Sequence, residues 1–152
     1  MPARIFISVH KQRLRHYDER DELLGEYPIS TAENGVGFEE GSYRTPIGRF
    51  QIAEMIGQGA APMTIFKGRK PIGTHDPAQP SSEDLITSRI IWLDGIQEMN
   101  ANTKQRYIYI HGTNHESRIG QPCSMGCVRM LNQDIIELYD ALAPDTLIMI
   151  TP

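Results

Sequence analysis

The sequence predicts a mainly β domain with one α-helix, and three observations carry that prediction. Near the N-terminus, Ile5, Ile7 and Val9 alternate with Phe6 and Ser8, and this period of two is typical of a strand. Short polar turns separate such runs along the chain. Only one stretch, close to the C-terminus, spaces its apolar residues as an amphipathic helix does.

The first three strands are predicted to form a β-meander. Residues 5–9 make the first strand and residues 13–17 the second, and the polar turn 18–21 leads to a third strand over residues 24–29. Connections this short favour antiparallel strands that are neighbours in one sheet.

A fourth strand is followed by a long segment rich in Gly, Pro and Ser. Glycine-marked loops and the turn Thr45-Pro46-Ile47-Gly48 lead to a strand over residues 50–56. The Gly- and Pro-rich segment covers residues 57–89. Because a structureless loop of that length is uncommon in a compact domain, we expect a lid or a small hairpin there.

The C-terminal part supplies core strands and the helix. Apolar runs predict strands over residues 90–93, 107–110 and 146–151. The helix is predicted to begin at Asn132, whose side chain can cap its first turn, and to stop at Pro144. Its apolar face consists of Ile135, Leu138, Tyr139 and Leu142.

Length and composition restrict the function. The chain has 152 residues, of which 39% are hydrophobic and 22% charged, and this suits a single domain over residues 1–152. A net charge of −4 lacks the basic footprint of a nucleic-acid-binding protein, so no nucleic-acid partner is expected. The basic cluster Lys67-Gly68-Arg69-Lys70 is typical of a solvated turn.

The sequence shows neither a membrane-helix pattern nor a signal-peptide pattern. No run reaches the roughly 18 apolar residues of a membrane helix, so no membrane partner is expected. The first residues lack the apolar core and cleavage site of a signal peptide. We therefore expect a cytoplasmic protein, or a periplasmic one if the chain is trimmed.

The most informative stretch pairs a histidine with a cysteine. His111 and Cys127 are 16 positions apart (127 − 111), far enough to lie on adjacent elements and meet. A neighbouring base or cation makes a cysteine nucleophilic, so Cys127 is the candidate nucleophile and His111 the candidate general base. Arg129 is a candidate ligand for a substrate carboxylate. Each residue also has a plainer interpretation. Cys127 could be a small buried hydrophobe, His111 a strand-end histidine with one surface hydrogen bond, and Arg129 an ordinary surface arginine.

The position of the cysteine before the helix suggests how its charge is stabilised. Cys127 follows Gly126 and lies about five residues before the predicted helix. A loop that enters a helix exposes N–H groups, which stabilise a thiolate and later an oxyanion.

A zinc site is an alternative use of the same residues. His111 and His115 spell H-x3-H, and Cys123 and Cys127 spell C-x3-C, so two imidazoles and two thiolates are available for a tetrahedral ion. Structural zinc sites more often use C-x2-C. Apart from this alternative, no metal and no cofactor are expected. Cys123 is expected to pack in the core, with a regulatory disulfide to Cys127 as the alternative.

The residues around the cysteine resemble the YkuD-type L,D-transpeptidase family. Its pattern joins a histidine-glycine step to Ser/Thr-His-Gly-Cys, a hydrophobic residue and Arg or Asn. The matching residues here are Ser124, Gly126, Cys127, Val128 and Arg129, with His111-Gly112-Thr113 upstream. Further similarities extend over nearly the whole chain, at Thr45-Pro46-Ile47-Gly48, at Ile91-Trp92-Leu93-Asp94-Gly95 and in the helix from Asn132.

The resemblance implies a β-sandwich-like catalytic domain with the helix after a cysteine nucleophile. Carried onto this chain, it assigns the catalytic roles to Cys127, His111 and the carbonyl of Gly112, the oxyanion hole to the N–H groups of Gly126 and Cys127, and substrate contacts to Arg129, Ser124 and Tyr109. Arg129 would bind the substrate's carboxylate or steady the site itself. The family commonly has a histidine where this chain has Met125.

The resemblance also implies a substrate, the peptide stem of the bacterial cell wall, cut between the L-centre of a diamino acid and a terminal D-alanine. β-Lactams such as carbapenems are implied acylating agents. Water would resolve the thioester in an L,D-carboxypeptidase, and an amine of a second stem would do so in an L,D-transpeptidase. Because a cytoplasmic location is expected, we expect a carboxypeptidase of muropeptide recycling. The alternatives are the transpeptidase and a zinc-binding or inactive peptidoglycan-binding module.

Overall fold

Ten β-strands and one α-helix build the fold, in a computed structural model that describes residues 2–152. The strands are β1 (Arg4–Ser8), β2 (Arg13–Tyr17), β3 (Leu23–Ser30), β4 (Gly48–Ile56), β5 (Thr64–Lys67), β6 (Lys70–Thr74), β7 (Ile86–Gly95), β8 (Tyr109–Thr113), β9 (Val128–Met130) and β10 (Leu147–Thr151). The helix α1 is Asn132–Ala141. The predicted class, mainly β with one α-helix, is confirmed.

All ten strands belong to one hydrogen-bonded sheet. The strand order is β4-β10-β1-β2-β3-β9-β8-β7-β5-β6, and a further pairing of β4 with β7 closes the first eight of these into a circuit. Strands β1, β2 and β3 are antiparallel neighbours, so the predicted meander is confirmed. The pairs β1–β10 and β8–β9 are parallel. The resemblance implied a β-sandwich-like domain, and here the strands on all sides of the core belong to one continuous sheet.

The core collects the inward-facing residues of this circuit and one face of α1. Alternate residues such as Ile5 and Ile7 of β1 are fully buried, as their period of two predicts. The predicted apolar face of the helix is buried with them, at Ile135, Leu138, Tyr139 and Leu142. Burial of a Leu or Ile side chain contributes about 1.5–3 kcal/mol, so this face holds α1 on the sheet. No helix among residues 2–152 is long and apolar enough to cross a membrane.

The Gly- and Pro-rich segment contains the expected hairpin. Strands β5 and β6 pair antiparallel, and the two residues at the tip, Gly68 and Arg69, have φ values of 56° and 64°. Positive φ at both positions is what a two-residue hairpin turn requires. Strand β5 also pairs with β7, which anchors the hairpin on the main sheet. Since β7 begins at Ile86, it includes the last residues of the segment predicted over 57–89.

The structure corrects the start of the strand predicted over residues 107–110 and the helix N–H donors predicted beside Cys127. Tyr107 has a left-handed φ of 57°, and β8 begins only at Tyr109 and continues through His111 to Thr113. The helix begins at Asn132 as predicted, but the three-residue strand β9 lies between it and Cys127. The helix N-terminus therefore does not supply the N–H donors expected beside the thiol.

Asn132 begins α1 but does not cap it, which corrects a third prediction. The residue before it, Leu131, offers no side-chain cap. Instead, Glu116 Oε2 accepts the N–H of Asn132 at 2.8 Å, and this places a carboxylate at the positive end of the helix. The cap comes from a distant loop, where no local pattern indicates it.

His16 makes stability depend on pH. It is 1% exposed in β2, and its Nε2 has no hydrogen-bond partner among the residues described. Burial lowers the pKa of His16. Because the pKa in the folded protein lies below the unfolded value of about 6.5, the unfolded chain binds the proton first as pH falls, and stability is lost from about pH 6.5 downwards.

We expect His16→Leu to reduce the fall in the free energy of unfolding between about pH 7.5 and about pH 5.5, since it removes the buried site that resists protonation. Urea titrations at the two pH values measure this difference. The exposed His10 provides the control, as His10→Leu. An unchanged pH dependence in the His16 variant would contradict the prediction.

Candidate active site

The parallel strands β8 and β9 bring the candidate histidine and cysteine to one face of the sheet. In their register His111 pairs with Arg129, which places Cys127 opposite Tyr109. The N–H of Tyr109 donates to Cys127 Sγ at 3.3 Å. Because side chains alternate along a strand, these four residues project from the same face.

His111 is held in a single tautomer. Its imidazole is 3% exposed, and Nδ1 lies 2.5 Å from the carbonyl oxygen of Gly112. A carbonyl oxygen only accepts, so Nδ1 carries the proton and Nε2 keeps its lone pair. This is the form that a general base needs, and the Gly112 carbonyl lies where the resemblance places the group that orients the ring.

Gly112 has no room for a side chain. A Cβ atom there would lie 2.5 Å from the carbonyl oxygen of Thr87 and 2.6 Å from Asn132 Oδ1. That Oδ1 accepts hydrogen bonds of 2.5 Å from the hydroxyls of Thr87 and Ser88, and Asn132 Nδ2 donates to the carbonyl of Thr113 at 2.7 Å. These bonds tie α1 to β7 and β8 around the glycine and fix the carbonyl that orients the imidazole.

The thiol of Cys127 rests as a neutral group. It is half-buried, and its S–H donates to the carbonyl oxygen of Tyr107 at 3.4 Å. Burial raises the pKa of Cys127, against the opposing effects of the Tyr109 N–H and of Arg129. Burial also lowers the pKa of His111. Burial therefore favours the uncharged forms of both the thiol and the imidazole.

Arg129 is neutralised inside the protein. Its side chain is 5% exposed, Nη2 lies 2.5 Å from Asp84 Oδ2, and Nη1 lies 3.7 Å from Cys123 Sγ. The ion pair leaves no uncompensated charge for a substrate carboxylate, so of the two roles expected of Arg129 only steadying the site fits. Sequence reasoning missed Asp84, because an acid within a polar loop carries no periodic signal.

The zinc hypothesis fails on geometry. His115 Nε2 lies 2.8 Å from the carbonyl oxygen of Ser81. Within residues 2–152, no three His, Cys, Asp or Glu side chains are grouped to hold a metal ion. Cys123 and Cys127 are both free thiols, and Cys123 is 6% exposed beside Arg129. Cys123 thus packs in the interior, as expected, and forms no disulfide in this structure.

Ser124 and Gly126 shape the turn before the cysteine. Ser124 is 3% exposed, its hydroxyl donates to the carbonyl oxygen of Cys127 at 2.6 Å, and it accepts the Gly126 N–H at 3.2 Å. Gly126 has a φ of +127°, where any side chain would be strained. The Gly126 N–H, expected to contribute to an oxyanion hole, thus already has a hydrogen-bond partner in this structure. Ser124 acts on the turn and does not face a substrate.

Tyr109 is turned into the protein beside the thiol. It is 5% exposed, and its hydroxyl accepts a 3.3 Å hydrogen bond from Arg69 Nη1 at the tip of the β5–β6 hairpin. Trp92 meets it edge-on at 5.7 Å between ring centroids, and Tyr107 stacks on Trp92 at 5.8 Å. The Tyr109 hydroxyl, expected to contact a substrate, is thus occupied by Arg69 in this structure.

Thr45 connects two segments behind the cysteine. It is fully buried, its hydroxyl accepts the Ala32 N–H at 2.9 Å, and it donates to the Gly126 carbonyl at 2.9 Å. The threonine-proline turn that resembled the family pattern therefore has a structural task, which is to hold the residue before the candidate nucleophile.

We expect Thr45→Val to lower the free energy of unfolding by about 2–3 kcal/mol, because it keeps the side chain's shape but leaves two buried backbone groups unpaired. Urea unfolding measures the loss. Thr45→Ser keeps the hydroxyl and is the matched control. Equal free energies of unfolding for the Val and Ser variants would show that the two hydrogen bonds of the Thr45 hydroxyl do not stabilise the fold.

The fold and the cysteine–histidine face agree with a known class of catalytic domain. Residues 2–150 match the family model described as YkuD, L,D-transpeptidase catalytic domain. The chain therefore belongs to the YkuD L,D-transpeptidase catalytic domain family, and the resemblance seen in the sequence is confirmed. A putative L,D-transpeptidase YkuD from Bacillus licheniformis is 32% identical over 152 residues, which cover all of this chain and 67% of that protein.

Solved structures of L,D-transpeptidases share the fold. One from Mycobacterium smegmatis matches with a TM-score of 0.65 and 13% identity, over 99% of this chain and 59% of that one. L,D-transpeptidase 3 from Mycobacterium tuberculosis, in complex with a faropenem-derived adduct, matches with a TM-score of 0.63 and 12% identity, over 99% of this chain and 60% of that one. The chain thus spans about 60% of the length of these structures.

Proposed function

We propose that this chain is a cysteine-dependent L,D-carboxypeptidase that removes the terminal D-alanine from peptidoglycan tetrapeptide stems. The observation that carries the proposal is the shared face of β8 and β9, from which both Cys127 and a His111 whose Nε2 keeps its lone pair project. Family membership supports a cell-wall peptide as substrate. No cofactor takes part in the proposed reaction.

The first step is acylation of the cysteine. Cys127 Sγ attacks the carbonyl carbon at the L-centre of the diamino acid as its proton passes to His111 Nε2. The Cys127 N–H stabilises the negative charge that develops on the carbonyl oxygen. The C–N bond then breaks, His111 returns the proton to the departing amine, and D-alanine leaves. A thioester remains on the sulfur.

The second step is hydrolysis. Water adds to the thioester as His111 takes one of its protons, and the thiol re-forms as the tripeptide acid leaves. A cleft of about 170 Å³, lined in part by Tyr107, Ile108 and Met125, lies nearby. Tyr107 also accepts the S–H of Cys127, so this cleft adjoins the thiol.

Transpeptidation is the second candidate, and the name of the Bacillus licheniformis relative, a putative L,D-transpeptidase, favours it. In that case an amine of another stem resolves the same thioester. An inactive module is less well supported. Met125, at the position of the family's common histidine, is 61% exposed, so the buried base in this chain is His111.

Product analysis on a defined tetrapeptide muropeptide tests the proposal. Release of D-alanine with a tripeptide product supports the carboxypeptidase, whereas a cross-linked dimer establishes the transpeptidase instead. Mass spectrometry of the protein after exposure to a carbapenem tests the acylation step, with an adduct expected on Cys127. Cys123→Ala keeps the proposed nucleophile and controls for reaction at the other thiol.

The location of this activity is part of the proposal. Trimming of muropeptides during recycling takes place in the cytoplasm, so the hydrolytic role and a cytoplasmic location are proposed together. Cell fractionation with an antibody against the chain measures its distribution. Recovery from the periplasm would count against recycling and in favour of cross-linking.

A further inference from the structure

A basic and aromatic cluster lies beside the thiol and has no part in the reaction described above. Arg69, at the hairpin tip, places its guanidinium 4.9 Å from the ring centroid of Trp92 and 5.3 Å from that of Tyr107. Its Nη1 donates to the Tyr109 hydroxyl at 3.3 Å. The basic tip expected to be a solvated turn thus folds this arginine back against the site.

Arg69 keeps donors for a ligand, unlike Arg129 and Arg106. Arg129 is paired with Asp84, and Arg106 donates to the carbonyl oxygens of Gly37 and Arg44. Arg69 forms no ion pair among the residues described, although Glu54 is close enough to contribute to raising its pKa after the Tyr109 hydrogen bond. Of the five N–H groups of a guanidinium, only one is engaged here.

The position of this guanidinium relative to the thiol suggests what it binds. Tyr109 contacts Cys127 Sγ through its backbone N–H and Arg69 through its side-chain hydroxyl, so this single residue connects the guanidinium with the proposed nucleophile. In the acyl donor, the terminal carboxylate belongs to the residue directly after the scissile bond. Removal of a single terminal residue requires the site to recognise the chain end, and a planar guanidinium matches a carboxylate well.

We propose that Arg69 binds the terminal carboxylate of the leaving residue and thereby selects substrates with one residue beyond the scissile bond. The inference rests on the proposed function, since it names how that site recognises its acyl donor. The aromatic rings of Trp92 and Tyr107 hold the guanidinium in place, and the fixed hairpin turn positions its backbone. Less side-chain freedom is then lost on binding.

The test compares two tetrapeptide stems that differ only at the end, one with a free D-alanine carboxylate and one with D-alaninamide. Binding is measured by calorimetry to protein carrying Cys127→Ala, which cannot turn either peptide over. We expect the free acid to bind about 10- to 100-fold more tightly than the amide, as for a charge-assisted hydrogen-bonded pair. Adding Arg69→Gln is expected to bring the ratio close to one, and Arg69→Lys is expected to retain part of it.

Two matched variants separate local recognition from general charge. Arg20→Gln removes the same charge from an exposed turn, and Lys104→Gln removes the other cation over Trp92, whose Nζ is 5.5 Å from the ring. Both are expected to keep the preference for the free acid. Loss of the preference in the Lys104 variant, or its survival in Arg69→Gln, overturns the proposal.

The proposed function and this inference fail in different ways. Wild-type protein that forms neither product from the free-acid stem defeats the function, whatever the binding ratio. Wild-type protein that releases D-alanine but binds both stems equally defeats only the role of Arg69. Circular dichroism of the Arg69 variants shows whether the fold is intact, and a folded Arg69→Gln protein with an unchanged ratio is decisive against the proposal.

Discussion

Cys127→Ala protein is expected to release no measurable D-alanine from a tetrapeptide stem, a loss of more than about 10⁴-fold in turnover. Without the sulfur no thioester forms, and the rest of the site can only bind the peptide. His111→Ala is expected to lower turnover by about 10²–10⁴-fold, the usual contribution of a positioned base. The double variant is expected to match Cys127→Ala, because the two groups act as one unit.

The pH dependence of acylation follows from the burial of the pair. Burial lowers the pKa of His111, so the neutral base persists below its ordinary value of about 6.5, and activity lost on acidification is lost at lower pH than that. Burial raises the pKa of Cys127, so its direct alkylation by iodoacetamide is expected to accelerate towards alkaline pH. Turnover and iodoacetamide alkylation, each measured from about pH 4 to about pH 9, test the acid limb of activity and the alkaline rise of thiol reactivity.

Controls for this prediction use the second thiol. Cys123→Ala is expected to retain turnover, because its buried sulfur contacts Arg129 and the Arg118 carbonyl and takes no part in the proposed reaction. Full activity in correctly folded Cys127→Ala protein would remove the basis of the proposed mechanism. An acid limb at about pH 6.5 would show that His111 is less desolvated than its 3% exposure indicates.

Asp84→Ala is the second change for which a large effect is expected, this time on stability. It leaves the charge of Arg129, 5% exposed, without its ion-pair partner. Removal of one member of a buried pair commonly costs 3–5 kcal/mol, and we expect about 3 kcal/mol here because the Asp84 side chain is 33% exposed. Acylation is also expected to slow, because the charge left unpaired on Arg129 lies directly opposite His111 in the strand register.

The double variant Asp84→Ala with Arg129→Met distinguishes loss of the pair from exposure of a lone charge. It removes both charges and keeps much of the apolar volume, so it is expected to recover a large part of the stability lost in the single variant. Urea unfolding of the two single variants and the double variant completes the cycle. Additive losses would show that the two residues are not coupled, contrary to their 2.5 Å contact.

The local elements of the fold were predictable because each is written in a short stretch of sequence. The alternation over residues 5–9 and the helical spacing of Ile135, Leu138 and Tyr139 are local patterns, and both are buried as predicted. Strand β9 was missed because three residues are too few to show a period. The cap on α1 was assigned to Asn132 because only local groups are visible in a sequence, whereas Glu116 supplies it.

The candidate site was predictable in its reactive groups and not in their surroundings. Cys127, His111 and Gly112 were identified from residue chemistry and family resemblance, and they lie on or beside one strand pair. Arg129 was expected either to bind a substrate carboxylate or to steady the site, and only the fold shows that it pairs with Asp84. The basic hairpin tip was expected to be solvated, but its arginine rests on two aromatic rings.

By itself, the sequence determined the strand and helix pattern, the family and the thiol–imidazole pair, since these depend on neighbouring residues and on a motif. The tertiary structure alone decided which distant groups became partners, as in Asp84 with Arg129, Thr45 with Gly126, and Arg69 with Tyr109. The physical reason is that strand register sets which side chains share a face, and burial then requires each polar group to find whichever partner the fold brings within reach.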